Sequence, residues 1–311
     1  MSLRETDEEQ ADFVSALRSV AEEAPMPQAE VDSLSMLEGS DLDRFREVWR
    51  GLPAAARARL IRALLGAAQQ RLRLDFSALN RLALDDEDPR VRLAGVECAL
   101  EDRSPALLAR LLELLRTDPR PEVRAAAAED LARFALRAEL EDLDAESARQ
   151  VRTSLLETVR QDTEHGRVRG SALAALGYFS DVAMMEELAT AFSTPELRLG
   201  AVRAMGRSAD PRWTDRLMPV LGADDPEMRV EAARAIGEIE DERAVTPLVE
   251  VIDDPVQEVR LAVIEALGHI GGDEAREALL YAAEDDEEAI RQAAGKALEE
   301  IEEVEQDPLD L

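Results

Sequence analysis

Paired aspartates near an arginine are the residues whose types and spacing first suggest chemistry. Two carboxylates close to a base could bind a metal ion or exchange a proton. A metal would need further oxygen donors that converge on the pair, and the sequence has no calcium loop of alternating acids around a central glycine. No metal site is therefore predicted. The pairs are Asp85–Asp86, Asp224–Asp225, Asp253–Asp254 and Asp285–Asp286.

Helix capping explains the same residues. In "ADDPEMRVEAARAIGEI" (223–239), Asp225 stands at the expected N-cap and Pro226 at the first helical position. The aspartate carboxylate can accept a free backbone N–H there, and proline has no N–H to leave unpaired. We therefore expect the pairs to mark helix starts, where each cap contributes about 1 kcal/mol.

Residue types used in catalysis are scarce. His165 and His269 are the two histidines, no serine or cysteine has a plausible histidine partner, and there is no glycine-rich phosphate loop. Cys98 is the single cysteine, which excludes an internal disulfide. It occupies a position where most of the other repeats described below carry alanine, so it is predicted to fill space in the core. We expect a non-enzymatic protein without a cofactor.

The net charge restricts the partners. The chain has 37 basic and 68 acidic residues among 311, a formal charge of −31. A chain this acidic repels the phosphates of nucleic acids and anionic membrane surfaces. Its first residues lack an apolar signal core, and no stretch is long enough to span a membrane. The sequence therefore predicts a cytoplasmic protein that binds neither nucleic acid nor a membrane.

An arginine with constant neighbours recurs along the chain, and we call it the anchor arginine. An aliphatic residue precedes it, a small residue usually follows at +3 and an apolar one at +7, which places these side chains on one helix face. A shorter amphipathic run precedes each copy, so each unit is a helix pair of about 30 residues that must stack on its neighbours. The anchors are Arg92, Arg124, Arg169, Arg198, Arg229, Arg260 and Arg291, the last four at intervals of 31 residues.

The register D-P-x-V-R-x-x-A-x-x-A-L-G, seen in "DPRVRLAGVECAL" (88–100) and "EVRLAVIEALG" (258–268), resembles HEAT repeats. It is most similar to the bacterial variety that also occurs in phycobilisome-lyase-like proteins. The resemblance implies an all-α fold, a right-handed α-solenoid of about seven helix pairs with an N-terminal helical cap. Such repeats serve mainly as binding scaffolds. Deoxyhypusine hydroxylase shares the repeat type and binds iron through His-Glu dipeptides, but here His165 precedes Gly and His269 precedes Ile.

Three regions are predicted. Residues 1–75 form a helical cap that begins with a helix over 7–23 and carries no anchor arginine. The repeats occupy residues 76–304, and residues 305–311 form an acidic tail. Within the repeats, we expect the anchor arginines to bridge acidic turns, and the glycines at +8 to allow close helix packing or to end helices.

The candidate partner site lies on the second helices, which line the concave surface of such a solenoid. Positions +5 and +9 should point away from the core, and arginines with an aromatic residue accumulate there in the middle of the chain. Arginine beside tyrosine or tryptophan is typical of binding hot spots and of carboxylate recognition. Alternatively, Glu231, Glu238 and Asp210 neutralise these arginines on a solvated surface. The candidates at these positions are Arg133, Tyr178, Arg203, Arg207, Arg234 and His269, and the nearby segment "SADPRW" (208–213) adds Arg212 and Trp213.

The predicted function is a scaffold that binds a protein or peptide along this surface, with an acidic segment as the candidate ligand. A bilin lyase-like protein that handles a chromophore is the first alternative, although aromatic residues make up only 3% of the chain. A repeat protein similar to the helical DNA glycosylases is the second, and the net charge disfavours it.

Overall fold

The computed structural model describes residues 28–70, 74–99, 102–179 and 181–306. The predicted helix over 7–23 and residues 307–311 of the predicted tail lie outside the described residues. The chain divides into two compact units, Met1–Leu131 and Ala132–Leu311. The region boundaries placed after residues 75 and 304 stay predictions.

The described part of the chain contains helices and no strand, which confirms the predicted all-α repeat fold. Helices alternate between the first and second members of successive pairs, after a short helix α1, Gln28–Ser33. The first helices are α2 (Gly39–Gly51), α4 (Ser77–Leu84), α6 (Pro105–Thr117), α8 (Ala145–Arg160), α10 (Val182–Phe192), α12 (Thr214–Leu217), α14 (Val245–Val249) and α16 (Asp273–Ala282). The second helices are α3 (Ala54–Gln70), α5 (Pro89–Glu97), α7 (Pro121–Glu139), α9 (Gly166–Leu176), α11 (Arg198–Arg207), α13 (Pro226–Ile239), α15 (Gln257–Ile270) and α17 (Glu288–Gln306).

Short 3₁₀ segments flank two of the first helices. Pro211–Trp213 and Met218–Gly222 lie on either side of α12, and Glu242–Ala244 precedes α14. These first helices are therefore broken into short pieces, whereas the second helices of the same pairs are continuous.

Asp225 caps its helix as expected, whereas Asp86 and Asp254 lie two residues before the N-caps Asp88 and Val256 and accept the backbone N–H of those residues. Asp225 accepts the backbone N–H of Glu227 at 3.0 Å and is followed by Pro226 in the first turn of α13. Asp88 caps α5 in the same way by accepting from Arg90. The helix-start interpretation of Asp225 is confirmed, because its carboxylate satisfies a backbone donor that the helix itself leaves unpaired.

Anchor arginines connect one repeat to the next. Arg229 donates to both carboxylate oxygens of Asp254, at 2.8 and 2.9 Å, and also to the backbone carbonyl of Ala223. Arg92 makes the corresponding paired contacts with Asp118 at 2.6 and 3.0 Å. Both pairs are largely buried. The predicted bridging role is confirmed at these two positions, where two parallel bonds fix both distance and orientation.

Arg57 is an anchor that the sequence interpretation missed. Its guanidinium lies 2.9 Å from the carboxylate of Asp86 and donates to the carbonyl of Leu52, and the residue is only 5% exposed. Helix α3 packs on α5 as other consecutive second helices pack on each other. Helices α2 and α3 therefore form a further repeat-like pair in the segment that was expected to have no anchor. No Asp-Pro precedes this arginine, so the motif does not reveal it.

Glycines bring the second helices of the unit Ala132–Leu311 into close contact. A Cβ atom at Gly177 would lie 2.4 Å from the carbonyl oxygen of Ala204, and one at Gly206 would lie 2.6 Å from the Cα of Ala235. Gly237 meets Ala266 in the same manner. Each glycine at +8 thus faces the alanine at +6 of the next repeat, which confirms the close-packing interpretation. As a result, side chains on consecutive second helices become neighbours.

Candidate functional site

Side chains on three second helices, together with Tyr178 just after the end of α9, form a group that we call the central row. Helices α9, α11, α13 and α15 pack in sequence within one unit. Positions +5 and +9 are about one turn apart and therefore share a face of each helix. The central row consists of Tyr178, Arg203, Arg207, Glu231, Arg234, Glu238, Glu265 and His269.

Two arginines of the central row share one carboxylate. Arg203 on α11 lies 3.0 Å from Oε1 of Glu231, and Arg234 on α13 lies 3.3 Å from the same oxygen. Arg203 also approaches Glu227 at 3.5 Å. Glu231 and Glu227 together therefore compensate their charge, as the alternative interpretation of a neutralised surface expects.

Arg207 is held by a ring instead of a carboxylate. Its guanidinium carbon lies 5.7 Å from the centre of the Tyr178 ring, within the range of a cation–π contact. Among the described residues no carboxylate forms an ion pair with it, and its Nη1 is enclosed without a hydrogen-bond partner. Arg207 is thus the arginine of the central row whose charge no neighbour pairs directly.

Glu238 lies beside Arg207 and is also unpaired. Its side chain is exposed, and its Oε2 lies 2.6 Å from where a Cβ of Gly206 would be, against the backbone of α11. No hydrogen bond or ion pair joins its carboxylate to another described residue. Protein around its enclosed sides raises the pKa of Glu238, and the nearby charge of Arg207 partly offsets this rise. The carboxylate is therefore accessible yet poorly compensated.

His269 and Arg133 occupy different surroundings. His269 on α15 is exposed and stands close to Glu238, with its Nδ1 3.6 Å from where a Cβ of Gly237 would be. Arg133 belongs to α7, the second helix of the preceding pair. Its guanidinium carbon lies 4.8 Å from the centre of the Phe134 ring. The structure brings His269 into the central row, whereas Arg133 makes its ring contact within its own helix.

Arg212 and Trp213 are not brought to the central row. They lie in the 3₁₀ segment before α12, where Asp210 accepts the backbone N–H and the guanidinium of Arg212. The Trp213 side chain is 6% exposed and belongs to the core. Arg216 covers its ring at 5.5 Å. "DPRW" is therefore a helix start like the Asp-Pro segments elsewhere, and the tryptophan packs inward from it.

In the described part of the chain, no group of three or more histidine, cysteine or acidic side chains could hold a metal ion. No helix there is long and apolar enough to cross a membrane. Cys98 is 5% exposed, and burial raises the pKa of its thiol to about 11. Its predicted role as a space-filler in the core is confirmed, because a thiol with such a pKa is a poor nucleophile at neutral pH.

Comparison with known families gives the same repeat architecture. The family model of HEAT repeats matches residues 76–177, 182–267 and 247–310. A structure of Kap95p bound to RanGDP is 14% identical over 97% of this chain and 47% of that chain, with a TM-score of 0.46. Human deoxyhypusine hydroxylase in complex with glycerol is 20% identical over 84% of this chain and 96% of that chain, with a TM-score of 0.38.

An engineered protein is 21% identical to the chain, and the match covers 63% of this chain and 96% of that one, with a TM-score of 0.40. No curated protein matches the chain.

Proposed function

The chain belongs to the HEAT-repeat family, and from this premise we propose that it is a scaffold that binds a protein or peptide segment along the central row. Stacked helical repeats commonly present extended surfaces to partners. Residues Arg203, Arg207, Arg234 and Tyr178 are the proposed centre of contact.

The charge balance of the central row supports this proposal most directly. The chain as a whole carries −31, but the row has three arginines and three glutamates, with Glu231 paired to two of the arginines and Glu238 close to Arg207. A surface with the average charge of the chain would repel most acidic proteins, whereas a balanced row with a tyrosine does not. Tyrosine and arginine are also enriched among the residues that dominate binding energy at interfaces.

Arg207 is the proposed contact for an acidic group of the partner. A carboxylate would have to displace Glu231 to bind Arg203 or Arg234, and that exchange gains little. Arg207 has no such competitor, and its guanidinium is held by the ring of Tyr178. A preoriented guanidinium can form strong paired hydrogen bonds with a carboxylate.

A matched pair of variants tests the proposed function. In the first, Arg203, Arg207 and Arg234 are replaced by glutamine. In the control, Arg149, Arg160 and Arg167, which are exposed outside the central row, are replaced by glutamine, so both variants have the same net charge. The measurements are affinity capture from native extract with mass spectrometry, and the thermal midpoint of each protein.

We expect proteins that the wild type and the control capture to be lost from the first variant, with little change in its thermal midpoint. Equal capture by both variants would refute the proposed site. Loss of capture together with a collapse of the midpoint would assign the three arginines to folding instead.

A further inference from the structure

We propose that the segment bound along the central row places a basic side chain on Glu238, next to the acidic group that Arg207 receives. The bound segment would therefore carry both charges, and a purely acidic segment would fit less well. This inference rests on the proposed function and adds the chemistry of the partner.

Glu238 differs in its surroundings from the carboxylates that pair with neighbouring arginines. Glu231 is bound by two arginines, Asp254 by Arg229 and Asp210 by Arg212. Arg207 and Arg234 lie near Glu238 as well. Its carboxylate nevertheless makes no hydrogen bond or ion pair with any residue in the described ranges. An ionised carboxylate that neighbouring protein partly dehydrates gains from a new hydrogen-bond donor.

Packing holds the Glu238 carboxylate in this position. Gly206 has no side chain, so the carboxylate can lie directly against the backbone of α11. Any other residue at this position would put a Cβ atom 2.6 Å from Oε2 of Glu238 and push the carboxylate away. The glycine thus provides the space that places Glu238 beside Arg207.

The groups around Glu238 leave room for a cation from outside. The positively charged neighbours are Arg207, which is engaged by Tyr178, and Arg234, which is engaged by Glu231. Glu231 adds a second negative charge, and His269 contributes a polar ring. An arginine or lysine side chain could donate charge-assisted hydrogen bonds to Glu238. The net charge of −31 would also draw a basic segment towards the protein.

A side-chain cation fits this position better than a metal ion. A metal would require several converging ligands, and no group of at least three suitable side chains exists among the residues that the structure describes. A guanidinium or ammonium needs only one carboxylate and free space. The exposed carboxylate of Glu238 offers both.

Three fluorescent octapeptides with blocked ends test the inference: all-glutamate, all-arginine and alternating glutamate–arginine. Fluorescence anisotropy at physiological salt measures their binding to the wild type, Glu238→Gln, Arg207→Gln and Glu250→Gln. Glu250 is an exposed carboxylate at the end of α14 and controls for the change of one unit in net charge. Thermal midpoints show that each variant is folded.

We expect Glu238→Gln to weaken the alternating peptide about tenfold, which corresponds to about 1.4 kcal/mol. The Glu250→Gln control should change its binding less than twofold, and the all-glutamate peptide should not be weakened by Glu238→Gln. Equal losses with Glu238→Gln and Glu250→Gln would overturn the inference, because only the net charge would then matter.

The same experiment separates the two proposals. If Arg207→Gln weakens the peptides but Glu238→Gln does not, the central row binds its ligand without a basic side chain on Glu238, and only the inference fails. If neither variant affects any of the peptides, the proposed site fails as well.

Discussion

At the scale of single residues, Glu238 combines features that usually exclude each other. It is open to solvent, yet enough protein surrounds it to disfavour its charged form. Most carboxylates in this protein that approach an arginine become its hydrogen-bond partner, as Asp254 does with Arg229. A carboxylate without a partner in such surroundings costs stability that a ligand could recover.

Replacing Glu238 by glutamine should therefore stabilise the free protein, and the effect should depend on pH. The pKa of Glu238 is raised in the folded state. Its contribution to the free energy of unfolding is therefore most favourable at low pH, where the carboxyl group is protonated in both the folded and the unfolded state. That advantage is lost as the pH rises from the ordinary value of 4.5 through the raised folded value. The thermal midpoint of Glu238→Gln should then exceed that of the wild type by an amount that grows as the pH rises from 4.5 to the raised folded pKa and stays constant above it.

The control for this experiment is Glu250→Gln, which removes the same charge from an exposed site. Its thermal midpoint should differ from that of the wild type by less than the midpoint of Glu238→Gln does, since Glu250→Gln only reduces the repulsion among the acidic residues. A lower midpoint for Glu238→Gln at neutral pH would contradict the described surroundings of the carboxylate.

At the scale of helices, the contact between glycine and alanine sets the distance between second helices. Gly177, Gly206 and Gly237 each admit the backbone of the next helix to a separation that leaves no room for a Cβ atom. Helix interiors usually disfavour glycine by about 0.5–1 kcal/mol relative to alanine. The repeat accepts that cost because the close contact buries the alanine face of its neighbour.

Gly206→Ala should lower the free energy of unfolding by about 1–3 kcal/mol, the usual cost of overpacking. The added methyl group would meet the backbone of Ala235, which cannot move as easily as a flexible side chain. The matched variant is Gly295→Ala in α17, where no other atom lies within 4 Å. That change should raise the stability by about 0.5–1 kcal/mol. Chemical unfolding measures both values, and effects of the same sign would contradict the packing described.

Arg57→Ala tests whether α2 and α3 form a repeat-like pair. The change leaves the buried carboxylate of Asp86 without its arginine, which costs about 3–5 kcal/mol for a buried pair. Arg62 lies on the same helix, is half-exposed and pairs with Glu97. Arg62→Ala should therefore cost less than about 1 kcal/mol. If chemical unfolding gave similar losses for both, Arg57 would not be an anchor.

Spacing predicted much of this architecture, and its failures have physical causes. The 31-residue interval and the positions at +3 and +7 predicted the second helices, since a helix face has a fixed period. Arg57 escaped because no Asp-Pro precedes it, although its contact with Asp86 spans a sequence interval similar to those of the other anchors. The buried position of Trp213 escaped because α12 and its flanking 3₁₀ segments do not follow a single helical period.

The candidate site was predictable only as a set of positions. Offsets +5 and +9 placed Arg203, Arg207 and Arg234 on an outward face, and the structure brings them together with Tyr178. Their partners depend on which rotamers meet across two helices, which spacing does not encode. That Glu231 binds two arginines while Glu238 binds none follows from the contact between α11 and α13.

At the scale of the whole molecule, charge repulsion is the dominant long-range force. A formal charge of −31 at pH 7 destabilises any compact arrangement of the chain. Ion pairs such as Arg229–Asp254 oppose it locally, and they are buried enough to resist screening by salt. The balance between these forces should be visible in the response to ionic strength.

Raising the NaCl concentration from about 10 mM to about 300 mM should therefore raise the thermal midpoint. Over that range the screening length falls from about 30 Å to below 10 Å, which weakens repulsion between distant carboxylates more than it weakens buried pairs. Sodium chloride and potassium chloride should have similar effects if screening is the cause. A midpoint that falls with added salt would mean that exposed ion pairs contribute more than the repulsion.

The glycine contact also makes the number of repeats adjustable without new interfaces. Because each step from α9 to α17 joins a glycine at +8 to an alanine at +6, removal of residues 230–260 would bring Gly206 against Ala266 in the same geometry. The scaffold would be shorter by one module, and Arg207 would gain His269 as its neighbour in place of Glu238. Duplication or loss of whole modules can thus change the order of charged side chains along the surface that a partner contacts, while the fold is conserved.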